Sequence, residues 1–175
     1  MSLSLNIPTV ETDRLILRGF RESDLDAVYA FNQTERSHWV GGPKETRHEC
    51  WRVIIGILGH WAVRGYGFWM IEEKATGTQA GGVGIIHHEG WDEPEIGWHL
   101  YEGFEGKGIA YEAALAARTY AAHNFAIPAP ISYIDPKNTR SVALAKRLGA
   151  TFERDGEVMG HACHVYRHPV TEVAA

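Results

Sequence analysis

At 175 residues, 45% of them hydrophobic, the chain can bury one sizeable core, and no shift in composition divides it, so a single domain over residues 1–175 is expected. Its 17 Lys and Arg against 22 Asp and Glu give a formal net charge of −5 with no basic block, which argues against a general nucleic-acid or membrane-surface binder. No apolar stretch approaches the roughly 20 residues that span a bilayer, Cys50 and Cys163 stand far apart, and the N-terminus lacks the basic and apolar runs of a secretion signal. The expected home is the reducing cytoplasm.

In chain order, "TDRLILRGF" alternates Leu15, Leu17 and Phe20 loosely with polar residues and predicts a first strand. Ser23 then stands as an N-cap before "SDLDAVYAFN", where Leu25, Val28 and Tyr29 recur at helical spacing. From Glu45 to Arg64, Trp51, Ile54, Ile55, Leu58 and Trp61 or Ala62 outline a second amphipathic helix, after a loop marked by Pro43 and two glycines. "GFWMIEE" and "AGGVGIIHH" are apolar runs joined as a hairpin by "KATGTQ", and "EIGWHLY" makes the next strand after the polar loop "EGWDEP". "AYEAALAARTYAAHNF" has no internal Gly or Pro and reads as the clearest helix. "PAPISYIDP" supplies another strand. In "NTRSVALAKRLGA", Asn138 is the N-cap, Val142, Ala145 and Leu148 share a face, and Gly149 is the stop. "GHACHVYRHP" closes the chain as a last strand. The order predicts an α/β chain with a mixed sheet, antiparallel hairpins in its middle and helices on both faces.

The stretch "EGFEGKGIAYEA" places three glycines and a lysine directly before the clearest helix. A strand, a glycine loop and a helix N-terminus bring backbone N–H groups together on an anion, and phosphate is the natural guest. Gly106 and Gly108 permit positive φ and close approach, while Lys107 adds a point charge. The spacing is not that of a P-loop, because Lys107 is followed by Gly108 rather than a hydroxyl residue. Nor is it a dinucleotide fingerprint, which needs a third glycine at Tyr111. Taken alone, the loop also reads as a tight strand-to-helix turn.

With its surroundings, the chain resembles the GNAT superfamily of N-acetyltransferases, in particular the branch containing the RimJ and RimL ribosomal-protein N-terminal enzymes. The likeness rests on "ETDRLILR", "GFWMI", "GGVGI", "PEIGWHL", "FEGKGIAYEA" and "NTRSVALAKRLGA", in that order. The family's Gln/Arg-x-x-Gly-x-Gly/Ala signature falls on Glu105, Gly106, Lys107, Gly108, Ile109 and Ala110, with Glu105 departing from it. The resemblance implies a GNAT-like fold with a central mixed, mostly antiparallel sheet, and acetyl-CoA as cosubstrate. Its pyrophosphate would lie on the amides of residues 106–110, its pantetheine between "EIGWHL" and "PISYI", with Asn138 as a hydrogen-bond partner. It also implies direct acetyl transfer to a primary amine, a protein N-terminus or a small molecule, through a tetrahedral intermediate polarised by a backbone N–H of the strand before the loop. A homodimer is left open. The alternatives are a module that senses acyl-CoA without turnover and a nucleotide-binding protein of another class.

Transfer demands a neutral amine more than a strong acid, since an aliphatic amine holds its proton to about 10.4 whereas a thiol leaves at about 8.5. Glu95 is the candidate base, because Ile96, Trp98 and Leu100 alternate away from Glu95, Gly97 and His99, and a carboxylate on a covered strand has a raised pKa. It reads otherwise as an exposed strand-start carboxylate. His99 reads as a proton relay or as a hydrogen-bonded strand histidine. The resemblance makes Ser141, three residues after Asn138, the acid at the CoA sulfur; it also reads as an ordinary first-turn serine. Tyr166 is the fallback acid or a core residue. Glu89, Asp92, Glu93 and Glu95 would attract a cationic amine if not merely solvated. No metal is expected, because in a strand His161 and Cys163 face away from His164 and His168.

Overall fold

A computed structural model describes residues 5–173. Its strands are β1 Val10–Glu11, β2 Leu15–Arg18, β3 Phe68–Glu73, β4 Thr78–Ile86, β5 Glu95–Leu100, β6 Ile131–Ile134, β7 Thr151–Val158 and β8 His161–Arg167. They form one sheet in the order β1-β2-β3-β4-β5-β6-β8-β7. Every neighbouring pair is antiparallel except β5 with β6, so the sheet is mixed and mostly antiparallel as expected. Two strands carry no signal in the sequence. β1 is only a pair of residues, and β7 is half-buried at best, so its pairing with β8 leaves no apolar alternation to read.

The helices are α1 Leu25–Asn32, α2 Arg47–Arg64, α3 Ile109–Phe125 and α4 Thr139–Arg147. Ser23 does not cap the first. A 3-10 turn over Glu22–Asp24 precedes it, and the Asp24 carboxylate accepts the Arg21 N–H at 2.8 Å. A side chain already committed to a buried arginine outcompetes the serine hydroxyl. α2 begins at a capping box, in which the Thr46 hydroxyl accepts the Glu49 N–H at 3.2 Å and the Glu49 carboxylate accepts the Thr46 N–H at 2.9 Å. Its buried stripe runs through Cys50, Ile54 and Trp61 with Ile57 beside it, and Ile55, assigned to that face by its apolarity, points outward at 47% exposure.

The alternation within β3 separates two cores. Trp69 and Ile71 face α3, where Leu15, Leu17, Val83, Ile85 and Ile96 meet Ala113, Ala114, Ala117 and Ala121. Met70 faces α1 and α2, with Phe20, Val28, Phe31, Cys50, Ile54 and Tyr101. A smaller cluster packs α4 on β6 and β8 through Ala145, Ile134 and Tyr166. Small residues let α3 lie close to the sheet, so the position of its N-terminal end is closely set.

One buried ion pair links β2, the first turn and β3. Arg18 donates to both Asp24 oxygens at 2.8 and 2.9 Å and to Glu72 at 2.6 Å, and Gln79 adds a bond to Asp24 at 3.0 Å. Burial alone would raise the Asp24 carboxyl, but hydrogen bonds from Arg18, Gln79 and the Arg21 N–H together hold it below its ordinary value. Arg18→Met strands that carboxylate, so urea unfolding should show a loss of about 3–5 kcal/mol. A loss within about 0.5 kcal/mol, usual for a surface change, would show that the pair does not hold these elements together.

Candidate active site

Parallel β5 and β6 share one registered pair, Glu95 with Ile131. Beyond it, side chains take over from the main-chain ladder. The Glu95 carboxylate accepts the Tyr133 N–H at 3.1 Å, and the Ser132 hydroxyl donates to the Ile96 carbonyl at 2.6 Å. His168 Nε2 lies 3.0 Å from the Ser132 Oγ, and Arg118 Nη1 lies 3.3 Å from His168 Nδ1 and donates to the Leu148 carbonyl at 2.7 Å. Since the serine proton goes to Ile96, His168 must donate from Nε2 and accept at Nδ1, which is the neutral tautomer. Burial, then the charges of Arg118 and Arg167, push His168 down to about 3, in agreement with that state. The Ser132, His168 and Arg118 side chains are buried, and the Arg118 Nε finds no partner among the described residues. The sequence reading missed this chain of bonds because its members lie on α3, on β6 and beyond β8.

Glu95 is half-buried at the closed end of the seam, on the face opposite α3. Burial pushes its carboxyl up to about 8, against the single N–H it accepts. His99 lies on the same face of β5. Its ring stacks on Phe31 at 4.9 Å and on Phe68 at 6.1 Å, and burial, followed by the charge of Arg36, pushes it down to about 4. It has no hydrogen-bond partner among the described residues, so stacking holds it rather than the polar contact expected of a strand histidine. The approach explains one glycine of "GGVGI": a Cβ on Gly82 would stand 2.6 Å from His99 Cε1.

The glycine loop follows β5 directly. Gly106 and Gly108 have φ of +72° and +76°, and Gly108 caps α3. The Glu112 N–H closes on the Gly108 carbonyl at 3.1 Å, which leaves the earlier N–H groups of the first turn, including those of Ile109 and Ala110, at the open end of the helix. The loop is tethered from outside: Arg14 donates to the Lys107 carbonyl at 2.9 Å and to Glu112 at 2.7 Å. The Lys107 ammonium rests 5.5 Å from the centre of the Phe104 ring. At the start of α4, the Asn138 side chain accepts the Ser141 N–H at 3.2 Å, so Asn138 is the N-cap. Ser141 is half-buried there.

Other candidates fall elsewhere. Asp92 is tied to Arg154 at 3.0 Å and Glu93 to Arg167 at 2.6 and 2.7 Å, so those two carboxylates hold the β4–β5 loop onto β7 and β8 rather than form a free acidic lure. Tyr166 is packed beneath α4, and Trp61 and Trp69 are core residues. Among the described residues, no three His, Cys, Asp or Glu side chains gather as a metal site would require, and no helix is long and apolar enough to cross a membrane. A groove of about 890 Å³ runs along α3 past Thr12, Arg14, Lys107, Tyr111, Glu112 and Arg147, but neither Glu95, His99, Asn138 nor Ser141 lines it.

The acetyltransferase (GNAT) domain model matches residues 14–151, and the chain belongs to that family. It is similar to an acetyltransferase from Agrobacterium tumefaciens str. C58, at 38% identity over 97% of this chain and 98% of that one, with a TM-score of 0.86. It is also 27% identical over 164 residues to the [ribosomal protein uS5]-alanine N-acetyltransferase of Escherichia coli (strain K12), covering 86% of this chain and 82% of the relative. RimL, a ribosomal L7/L12 alpha-N-protein acetyltransferase solved in complex with coenzyme A, shares the fold at 22% identity, with a TM-score of 0.76 over 93% of this chain and 98% of that one. The chain is an N-acetyltransferase, an enzyme that moves an acetyl group to an amine.

Glu95 keeps its proton in the fold up to about 8 but loses it near 4.5 when unfolded. The native state therefore binds more protons across that window, and stability falls as pH rises through it. Glu95→Gln should flatten the slope of unfolding free energy between pH 5 and 8. An unchanged slope would show that the carboxyl is not held neutral.

Proposed function

We propose that the amides of Gly106, Lys107, Gly108, Ile109 and Ala110 hold the pyrophosphate of acetyl-CoA, that Asn138 and the seam between β5 and β6 receive its pantetheine arm, and that Glu95 and Ser141 serve the transfer to a primary amine. The observation that carries this reading is the conjunction of an open seam inside the sheet with a left-handed loop at the start of α3. Gly106 and Gly108 adopt the positive φ that a loop folded around an anion calls for, and the N-terminal end of α3 adds the favourable pole of its dipole. The residues present suit an anion of this kind.

Bound there, acetyl-CoA supplies an acyl thioester. Glu95 takes the proton that the ammonium form of the acceptor must lose before its nitrogen can bond to the acyl carbon. Burial raises its affinity for that proton to about 8, far closer to the amine than an exposed carboxylate would be. Ser141 offers its hydroxyl proton to the sulfur as the carbon–sulfur bond breaks, a weak demand given the acidity of thiols. His99 stays neutral at physiological pH and, with Phe31 and Phe68, gives the acceptor an apolar wall. The acceptor is a protein N-terminus or a small-molecule amine. Similarity to ribosomal-protein acetyltransferases supports the former.

Acetyl-CoA at about 100 times its dissociation constant should add about 2.7 kcal/mol of stability, while ATP and NAD add none. A melting scan in which only ATP or NAD stabilises the protein would overturn the donor assignment. Gly108→Val, which forces a β-branched residue to φ of +76°, should abolish acetyl-CoA binding in calorimetry. With a panel of amines and thiol release as readout, Glu95→Gln should lower turnover by about 100-fold or more and remove the rise in rate toward pH 8, at nearly unchanged acetyl-CoA affinity. Wild-type turnover in that variant would remove Glu95 as the base.

A further inference from the structure

The one departure from the family's loop signature has a counterpart in the structure. Glu105 forms an ion pair with Arg36, a residue 69 positions earlier, and each side chain is 31% exposed. Arg36 belongs to a 3-10 turn over Glu35–Val40, and that turn is fixed rather than loose. The Thr34 hydroxyl donates to the Phe31 carbonyl at 2.7 Å, the buried Ser37 hydroxyl donates to the Thr34 carbonyl at 2.9 Å, and the Gly42 N–H returns to the Ser37 carbonyl at 2.9 Å. Phe31, at the head of this segment, stacks on His99. The pair thus runs from the proposed acceptor wall to the residue that opens the proposed cofactor loop.

Glu105 faces the Arg36 guanidinium as its ion-pair partner. Burial would raise its carboxyl, but its own N–H and that of Gly103, with Arg36 and Arg140 nearby, hold it below the ordinary carboxylate range. An ionised carboxylate beside amides that receive a pyrophosphate repels it, and a few ångströms of separation in a partly screened site make that a substantial cost. A cation held against the carboxylate cancels most of the field.

Building on the acetyl-CoA reading, we propose that Arg36 is a positioning residue for the donor: it neutralises Glu105 at the mouth of the glycine loop and ties that loop to the acceptor wall. The loop tolerates an acidic residue where the family signature has glutamine or arginine because the compensating guanidinium comes from the other face of the site. The two residues therefore act as one unit, and Arg36 is needed only while Glu105 is acidic.

Calorimetric titration of acetyl-CoA into wild type, Arg36→Met, Glu105→Gln and the double variant tests this. Arg36→Met should weaken binding roughly 10-fold by leaving the carboxylate bare. Glu105→Gln should bind at least as tightly as wild type, and the double variant should return to within about 3-fold of Glu105→Gln. Rescue by the second substitution excludes a general loss of folding, which circular-dichroism melts of all four proteins check directly. A double variant as weak as Arg36→Met, or an Arg36→Met variant with wild-type affinity, would overturn the role of Arg36. Wild-type protein that binds no acetyl-CoA would overturn the donor assignment beneath it.

Discussion

The rest of the molecule is arranged around a single interruption: two parallel strands in the middle of an eight-stranded sheet that meet at one registered pair and then part. Main-chain donors and acceptors in a sheet interior cannot be left without partners. The protein answers with side chains, the Glu95 carboxylate for the Tyr133 N–H and the Ser132 hydroxyl for the Ile96 carbonyl. His168 and Arg118 then hold Ser132 from behind, His168 through its Nε2 and Arg118 through the His168 Nδ1. The width of the seam is thereby fixed from the α3 face, while its other face stays open toward Glu95 and His99.

Burial acts on those two residues in opposite directions and leaves both uncharged at neutral pH, a carboxyl raised to about 8 and an imidazole lowered to about 4. The common cause is burial, which penalises the charged form of each; at His99 the rings of Phe31 and Phe68 stack on the imidazole. A site built this way stores no fixed charge at its centre. The charges stand at the rim, where Arg36 faces Glu105 and Arg14 faces Glu112.

Much of this was legible in the sequence, and the limits have physical reasons. Alternation marked β5 with Glu95 and His99 on one face, an uninterrupted alanine-rich run marked α3, and the order of motifs over most of the chain marked the fold. β7 was hidden because an exposed edge strand has no apolar period. The first cap was misplaced because Asp24 is engaged by Arg18, a contact made only in three dimensions. The acidic run in the β4–β5 loop looked free because the arginines that bind it, Arg154 and Arg167, arrive 62 and 74 residues later. The same holds for Arg36 and Glu105: a departure from a motif is visible in one dimension, but its compensation is not.

The sheet's two rims differ from its centre in a way that bears on what can join it. At one end the outermost strand, β1, is two residues long; at the other, β7 carries Glu153, Arg154, Asp155 and Glu157 in succession with intervening Gly156. A stub and a charged ribbon are poor templates for another polypeptide, which guards against edge-to-edge polymerisation. Among the described residues, the sheet's outer edges thus differ from its interior, where the ladder between β5 and β6 is reduced to a single registered pair.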